Sequence, residues 1–353
     1  MKQNVYPELL IDRNSKIFHA LQQMDDVGRK LLIVIDESSY YGLLSIGDIQ
    51  RAIIKGVSLD KSIHNILRND VVVAREGEDL EQIKKYIHKE RTEYMPIVSS
   101  SGKIVNVLFW EDLFDTSKKP GKRKLEIPVL IMAGGMGSRL KPLTNVLPKA
   151  LIPIGEKSII EQIMDSFKEY GCDHYYISIN HKAELIRYYF ANLETYYGKI
   201  EYIQESEFWG TAGSIGLAKD IISQTFFVSN CDILVDQDYA DILDYHLLNK
   251  NEITVVAAIL NIKVPYGVLN TNSDGFLQSI TEKPELYYKI NTGLYVCEPS
   301  VLPNIPPNQV FHITELIEGL LNQGRKVGVF PISEQSWTDM GNWDEFLKQA
   351  KIK

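Results

Sequence analysis

At 353 residues the chain is long for one compact domain and comfortable for two. A composition of 44% hydrophobic, 24% charged and 10% aromatic residues is that of a folded globular protein and excludes a disordered or fibrous one. The net charge of −8 gives no general attraction to nucleic acid, so any phosphate chemistry belongs in a local pocket for a small anion. The three cysteines, Cys172, Cys231 and Cys297, stand far apart without CxxC or Cys/His spacing. Neither a disulfide framework nor a zinc site is expected, and a reducing compartment is. The opening MKQNVYPELLIDRNSK lacks the basic-then-apolar run of a secretory signal, and no apolar stretch approaches the roughly 18 residues that span a membrane. The expectation is a cytoplasmic protein with no membrane partner.

Within residues 1–117 one pattern occurs twice, about 60 residues apart: a helical stretch, an apolar strand, a turn, a second strand and an acidic helix start. In the first copy KIFHALQQMDDVG leads to KLLIVID and YYGLLSIGDIQRAI; in the second LEQIKKYIHKERTEY leads to MPIVSSSG and KIVNVLFWEDLFDT. This resembles a tandem pair of CBS domains, an α+β module that in its family often binds adenine nucleotides and regulates an attached enzyme. There, a hydroxyl followed three residues later by Asp commonly contacts ligand phosphate and ribose. Ser45 and Asp48 match that pair, whereas the second copy keeps Asp112 behind Phe109, so one of two sites is expected intact. Both aspartates also stand where helix N-termini are expected, and capping alone would account for them. The resemblance further implies a homodimer through residues 1–117.

The basic run TSKKPGKRKLEI follows, and residues 118–127 read as a solvated linker. From residue 128 to 353, apolar strands alternate with helical patterns: PVLIM, SIIEQIMDSFKEY, HYYISIN, AELIRYYFANL, FFVSNCD and DYADILDYHLLNK. Such alternation predicts an α/β domain whose mixed, mostly parallel, Rossmann-like sheet is covered by helices and binds ligands at the carboxyl ends of its strands.

The first of these strands runs into AGGMGSRLKPLT, where Gly134, Gly135 and Gly137 let backbone N–H groups approach phosphate. A P-loop needs Lys and Ser/Thr after its last glycine, but Ser138 and Arg139 follow Gly137. A dinucleotide fingerprint needs a glycine where Leu140 stands. What the segment resembles is the sugar nucleotidyltransferase signature GGxGxRLxPLT, completed by Pro148 and Lys149. The resemblance implies that Ala133, Gly134, Gly135, Gly137 and Ser138 wrap a triphosphate, with Arg139 and Lys149 on its phosphates. A guanidinium fork and a compact ammonium suit those tasks.

Further motifs match in family order over residues 128–345. SNCD and WTDMGN imply that Asp232 and Asp339 hold Mg²⁺; two carboxylates plus phosphate oxygens and water are sufficient ligands for that ion. TEKP implies that Glu282 contacts sugar hydroxyls and Lys283 the sugar phosphate, with Tyr266, Gly267, Asn291 and Thr292 completing the pocket. QESEFWGTAGS implies Gly210, Thr211 and Ala212 near the nucleoside, with Phe208 and Trp209 replacing the family's usual Pro-Leu. Asn180 and His181, ending the strand HYYISIN, are expected to approach the nucleotide, though a lone His there is more often structural. Guanine presents adjacent N1–H and N2–H₂ donors, so its pocket needs an acceptor. Glu205 is the candidate, with Gln204 behind it, and both also fit as ordinary polar residues at a strand end.

The implied reaction is in-line attack of a sugar 1-phosphate oxygen on the α-phosphorus of GTP or another nucleoside triphosphate, with pyrophosphate leaving. The pairing of a tandem CBS module with a GTAG-type domain most resembles guanylyltransferases, in particular the CBS-fused glucosamine-1-phosphate guanylyltransferases of bacterial legionaminic acid synthesis. Mannose- or heptose-1-phosphate guanylyltransferase is the neighbouring alternative. A nucleotide-sugar sensor without catalysis is the alternative of another class.

Overall fold

The computed structural model describes residues 6–68, 71–90, 92–113, 122–343 and 346–347, apart from the side chains of 88 and 111. The chain divides into two compact units, Met1–Pro120 and Gly121–Lys353. Among the described residues, no helix is long and apolar enough to cross a membrane.

In the first unit, β1 (Leu10–Asp12) is parallel to β2 (Leu31–Asp36), which is antiparallel to β3 (Ser39–Ser45). Helix α1 (Ile17–Val27) joins β1 to β2, and α2 (Ile46–Ile54) follows β3. The plan repeats with β4 (Ala74–Arg75), α3 (Leu80–Glu90), β5 (Tyr94–Val98), β6 (Ile104–Phe109) and α4 (Trp110–Leu113). The register pair Leu10↔Ile33 recurs as Ala74↔Ile97, 64 residues on at both positions. Neither copy can bury its own sheet alone. Leu31, Ile33 and Leu43 of the first copy share a core with Tyr94 and Val107 of the second.

In the second unit, β7 (Val129–Met132) is buried along its whole length, as its four apolar residues demand. Strands β8 (Pro153–Ile154) and β9 (Lys157–Ser158) form a small hairpin ahead of α5 (Ile159–Lys168). Ser158 opens that helix, its N–H and Oγ both donating to Glu161 at 2.9 Å. Next come β10 (His174–Ile179), α6 (Ala183–Ala191), β11 (Lys199–Gln204), α7 (Gly210–Gly216), β12 (Phe226–Asn230), β13 (Ile233–Val235) and α8 (Tyr239–Asn249). The chain continues through β14 (Ile253–Lys263), β15 (Val268–Thr271), β16 (Leu277–Thr281), β17 (Glu285–Cys297), α9 (Ile313–Asn322), β18 (Val327–Ser333) and β19 (Trp337–Asp339).

Seven strands form the main sheet in the order β11-β10-β7-β12-β17-β14-β18. The first four are mutually parallel, β17 is antiparallel to both its neighbours, and β18 is parallel to β14. Apolar clusters cover both faces, one built with α5 and α8 and the other with α7 and α9. The expected mostly parallel α/β sheet is therefore present, and the parallel strands β7, β10, β11 and β12 release their C-terminal loops at one edge.

Residues 118–121 of the expected linker lie outside the described residues. Of those from 122 to 127, Lys122, Arg123, Lys124 and Glu126 are exposed, yet the segment is tied to the rest of the second unit. Lys122 donates to Tyr170 Oη at 2.9 Å and Arg123 forks onto Asp244 at 2.7 and 2.6 Å. The Leu125 N–H donates to Tyr170 O at 2.9 Å, and its side chain joins the core. The sequence hid these bonds, since the partners lie 48 and 121 residues further along the chain.

Candidate active site

The loop after β7 begins at Ala133, whose N–H donates to Ser178 O on β10 at 2.9 Å. A side chain at Gly134 would overlap Glu205 Oε1 and crowd Asn180 Cβ. Gly137 has φ +63°, and a Cβ there would stand 2.8 Å from Thr144 Cγ2 and 3.0 Å from Lys149 Cβ. Only glycine meets both demands at little cost. Thr144 Oγ1 donates to Gly137 O at 3.0 Å, and Lys182 Nζ donates to Thr144 O at 2.8 Å, so the loop is pinned from two sides. Gly135 has open space, and Ser138 is exposed.

Four charged side chains converge beside this loop. Asp232 follows β12, and Asp339 ends β19. The antiparallel pairing Ile233↔Asp339, with Met340 N–H donating to Asp232 O at 2.8 Å, brings the two carboxylates together. Lys149 Nζ donates to Asp232 Oδ2, and both side chains are about nine-tenths buried. Arg139 approaches Asp232 Oδ2 at 3.5 Å and Asp339 Oδ2 at 3.4 Å while remaining 64% exposed. Long contacts by an exposed guanidinium cost little to release, so Arg139 is free to turn onto phosphate. Among the described residues no three His, Cys, Asp or Glu side chains form a metal cage. Two adjacent carboxylates nevertheless fit Mg²⁺, which takes few protein ligands and completes its shell with phosphate and water. Burial pushes the adjacent Cys231 thiol up to about 12, the Asp232 carboxylate adding to the rise, so it is no nucleophile.

Gly341 was not singled out in the sequence. A Cβ there would meet Asp232 Oδ2 at 2.5 Å, Lys149 Nζ at 2.6 Å and Arg139 Nη2 at 2.9 Å, and its N–H donates to Asp339 Oδ1 at 2.8 Å. Its place one residue beyond Met340 in WTDMGN was the available signal. Gly341→Ala is expected to lower kcat by about tenfold or more with little change in melting temperature, because the methyl group displaces a charge cluster rather than the core. Steady-state kinetics beside a thermal melt check this.

Glu205 is 3% exposed. Its backbone N–H donates to Ile179 O at 2.9 Å, Ser178 Oγ donates to its Oε1, and its buried Oε2 has no partner among the described residues. Gln204 is engaged elsewhere: it accepts from Arg187 at 3.2 Å and donates to Glu205 O at 3.1 Å. In α7, Gly210 has φ +76° against Phe311 O, Thr211 Oγ1 accepts from Ile313 N at 2.9 Å, and Ala212 is fully buried. Thr211 and Ala212 thus commit their side chains to packing α7 on the start of α9, and the Ala212 N–H donates to Phe311 O at 3.0 Å.

On the other side, the register Val268↔Thr281 sets Gly267 beside Glu282, whose Oε2 would be 2.9 Å from a Cβ at 267. Tyr266, Glu282 and Lys283 are all exposed there, and Lys283 holds the left-handed φ of +43°, uncommon for a long side chain. Asn291 donates to Tyr295 Oη at 2.8 Å and accepts from Gly293 N at 3.0 Å. Thr292, expected on the pocket wall, is only 2% exposed and donates to Val256 O at 2.8 Å. Its hydroxyl ties β17 to β14, so its side chain is turned away from solvent.

In the first unit Ser45 caps α2: its N–H donates to Asp48 Oδ2 at 2.9 Å, and its Oγ accepts from Asp48 N at 3.3 Å. Asp48 Oδ1 also takes Arg51 and, at 2.9 Å, Arg68. The pair is therefore used as a cap, with Ser45 still lining a cavity of ≈ 220 Å³ together with Lys30, Arg68, Thr92 and Met95. Asp112 is exposed on α4, and Phe109 packs on Tyr6 and Tyr94.

Family models match in both units: the nucleotidyl transferase family over residues 128–352 and the CBS domain over residues 63–119. The chain is 31% identical to a mannose-1-phosphate guanyltransferase of Schizosaccharomyces pombe, the match covering 62% of each chain. It is 34% identical to mannose-1-phosphate guanylyltransferase 1 of Arabidopsis thaliana over 50% of this chain and 51% of that one. The chain thus spans between half and two thirds of the length of these curated relatives. Among solved structures, HddC from Yersinia pseudotuberculosis superposes with a TM-score of 0.51 at 24% identity, covering 64% of this chain and 98% of that one. A second structure of HddC, complexed with GMP-PN, gives 0.50 at the same identity and coverage. These structural likenesses concern the fold.

Proposed function

The chain belongs to the nucleotidyl transferase family, and on that premise we propose that it transfers GMP from GTP to a sugar 1-phosphate, releasing pyrophosphate. The observation that carries the guanine reading is the buried Glu205 carboxylate with Oε2 unpaired, beside the loop at Gly134. A buried acceptor of this kind costs free energy until a ligand supplies donors, and the N1–H and N2–H₂ edge of guanine supplies two. The names of the relatives above and the GMP-PN complex of HddC support the same base.

No general base is required, because a phosphate monoester with a second pKa near 6 is already largely dianionic at neutral pH. Catalysis then rests on bringing two anions together and stabilising the charge that develops. Gly134 to Ser138 seat the triphosphate, Arg139 turns from its carboxylate partners to the leaving phosphates, and Lys149 stays close to Asp232 facing the α-phosphate. Lys283 and Glu282 orient the sugar phosphate. Mg²⁺ held by Asp232 and Asp339 supplies Lewis-acid neutralisation of the phosphate oxygens when bound. Retention of all four clustered charges favours an enzyme over a nucleotide-sugar sensor.

For the acceptor, the relatives' names support mannose 1-phosphate, while the CBS pairing supports glucosamine 1-phosphate. The test is kcat/KM for GTP, UTP and dTTP with each of these and with glucose 1-phosphate. GTP preference supports the reading, preference for UTP or dTTP removes it, and the preferred sugar decides between the two acceptors.

Arg139→Ala is expected to weaken nucleotide binding about tenfold or more with less effect on the sugar phosphate, and Lys283→Ala the reverse. Separate titrations of the two ligands check this; equal effects would mean the two sides are wrongly assigned. In the first unit, the CBS resemblance supports an adenine nucleotide ligand in the cavity beside Ser45, which Lys30 and Arg68 line together with Glu90 and Glu93, and calorimetry with AMP and ATP checks it. The tandem CBS resemblance supports a homodimer through residues 1–117, checked by sedimentation.

A further inference from the structure

Strand β10 is apolar at its centre except for Ser178, which is fully buried. Its hydroxyl is not returned to the backbone but donates to Glu205 Oε1 on the loop after the neighbouring strand β11. The same oxygen lies against the backbone of Gly134, where no side chain fits. One side of the Glu205 carboxylate is thus closed by Ser178 and the phosphate loop, while Oε2 has no partner among the described residues.

We propose that Ser178 is a positioning residue for base selection, which rests on the guanine reading of Glu205. By holding Oε1, the hydroxyl fixes the carboxylate plane. It leaves Oε2, the oxygen without a partner among the described residues, to meet the donor edge of guanine at a set angle. A flexible carboxylate would lose that angle, and with it the preference for two adjacent donors over the single N3–H of a pyrimidine. Because Oε1 also rests on Gly134, the base and the triphosphate loop share one support.

The test compares Ser178→Ala and Glu205→Gln with wild type for GTP, UTP and the sugar phosphate, with thermal melts alongside. Ser178→Ala is expected to raise the KM for GTP about tenfold or more and to lower the GTP:UTP ratio of kcat/KM by a similar factor. The sugar-phosphate KM and kcat should stay within about twofold, and calorimetric binding of GTP should weaken in parallel. Ser178→Cys, nearly isosteric but a weak donor, is expected to move the same quantities in the same direction and serves if the Ala variant does not fold. A merely structural serine predicts a lower melting temperature with the GTP:UTP ratio unchanged, and that result overturns the proposal. If Glu205→Gln collapses the ratio while both Ser178 variants keep it, the positioning role falls and the guanine reading stands. If none of the three moves it, both fall.

Discussion

Asp232→Ala is expected to lower kcat by at least about a hundredfold across a Mg²⁺ series, and Asp339→Ala by a similar factor. Each removes one of two carboxylates that the Ile233↔Asp339 pairing sets side by side, so neither can substitute for the other. The two variants should differ in stability. Asp232 is the partner of Lys149, which is 11% exposed, so its loss leaves a buried ammonium without its counter-ion. Truncating one partner of a buried pair typically costs about 3–5 kcal/mol, and Asp232→Ala should therefore melt earlier. Asp339 is 25% exposed and meets Arg139 only at 3.4 Å, so its variant should melt close to wild type. Near-normal turnover in both variants would remove the metal assignment.

Glu205→Gln is expected to cut the GTP:UTP ratio of kcat/KM by about a hundredfold or more. With its one oxygen on the Ser178 hydroxyl, the amide turns an NH₂ group to the place of Oε2, so a guanine donor faces another donor. Uracil has no second donor to lose, so GTP should lose more than UTP. Discrimination of this kind is large because the wrong edge leaves buried polar groups unpaired. Parallel kinetics with the two triphosphates measure it, and an unchanged ratio would place the base elsewhere.

Much of this site was legible in the sequence because its parts are local. A buried strand entering a glycine loop, and aspartates at strand ends, are patterns of adjacent residues, and period and turn chemistry report them directly. Glu205 was singled out as an acceptor from the chemistry of guanine, but its burial and the unpaired Oε2 were not legible. What stayed hidden depends on register and packing between distant segments. The inward turn of Thr292 follows from its pairing with Val256, and the crowding at Gly341 from the return of β19 to Asp232. Ser178 showed only as a polar residue in an apolar run, and its partner is 27 residues away. Lys122 and Arg123 are exposed, and only their bonds to Tyr170 and Asp244 stayed hidden, because those partners cannot be inferred from adjacent residues. Ser45 and Asp48 fit both a ligand motif and a helix cap, and the structure shows the cap.

The claim on which the account stands is nucleotidyl transfer by the cluster of Arg139, Lys149, Asp232 and Asp339. The most direct test mixes the purified chain with Mg²⁺, GTP and either mannose 1-phosphate or glucosamine 1-phosphate, then measures pyrophosphate and the mass of the sugar product. The account predicts pyrophosphate in one-to-one ratio with a GDP-sugar for at least one of the two acceptors, abolished by Asp232→Ala. A folded, Mg²⁺-supplied protein that releases no pyrophosphate with either acceptor and any nucleoside triphosphate would contradict it.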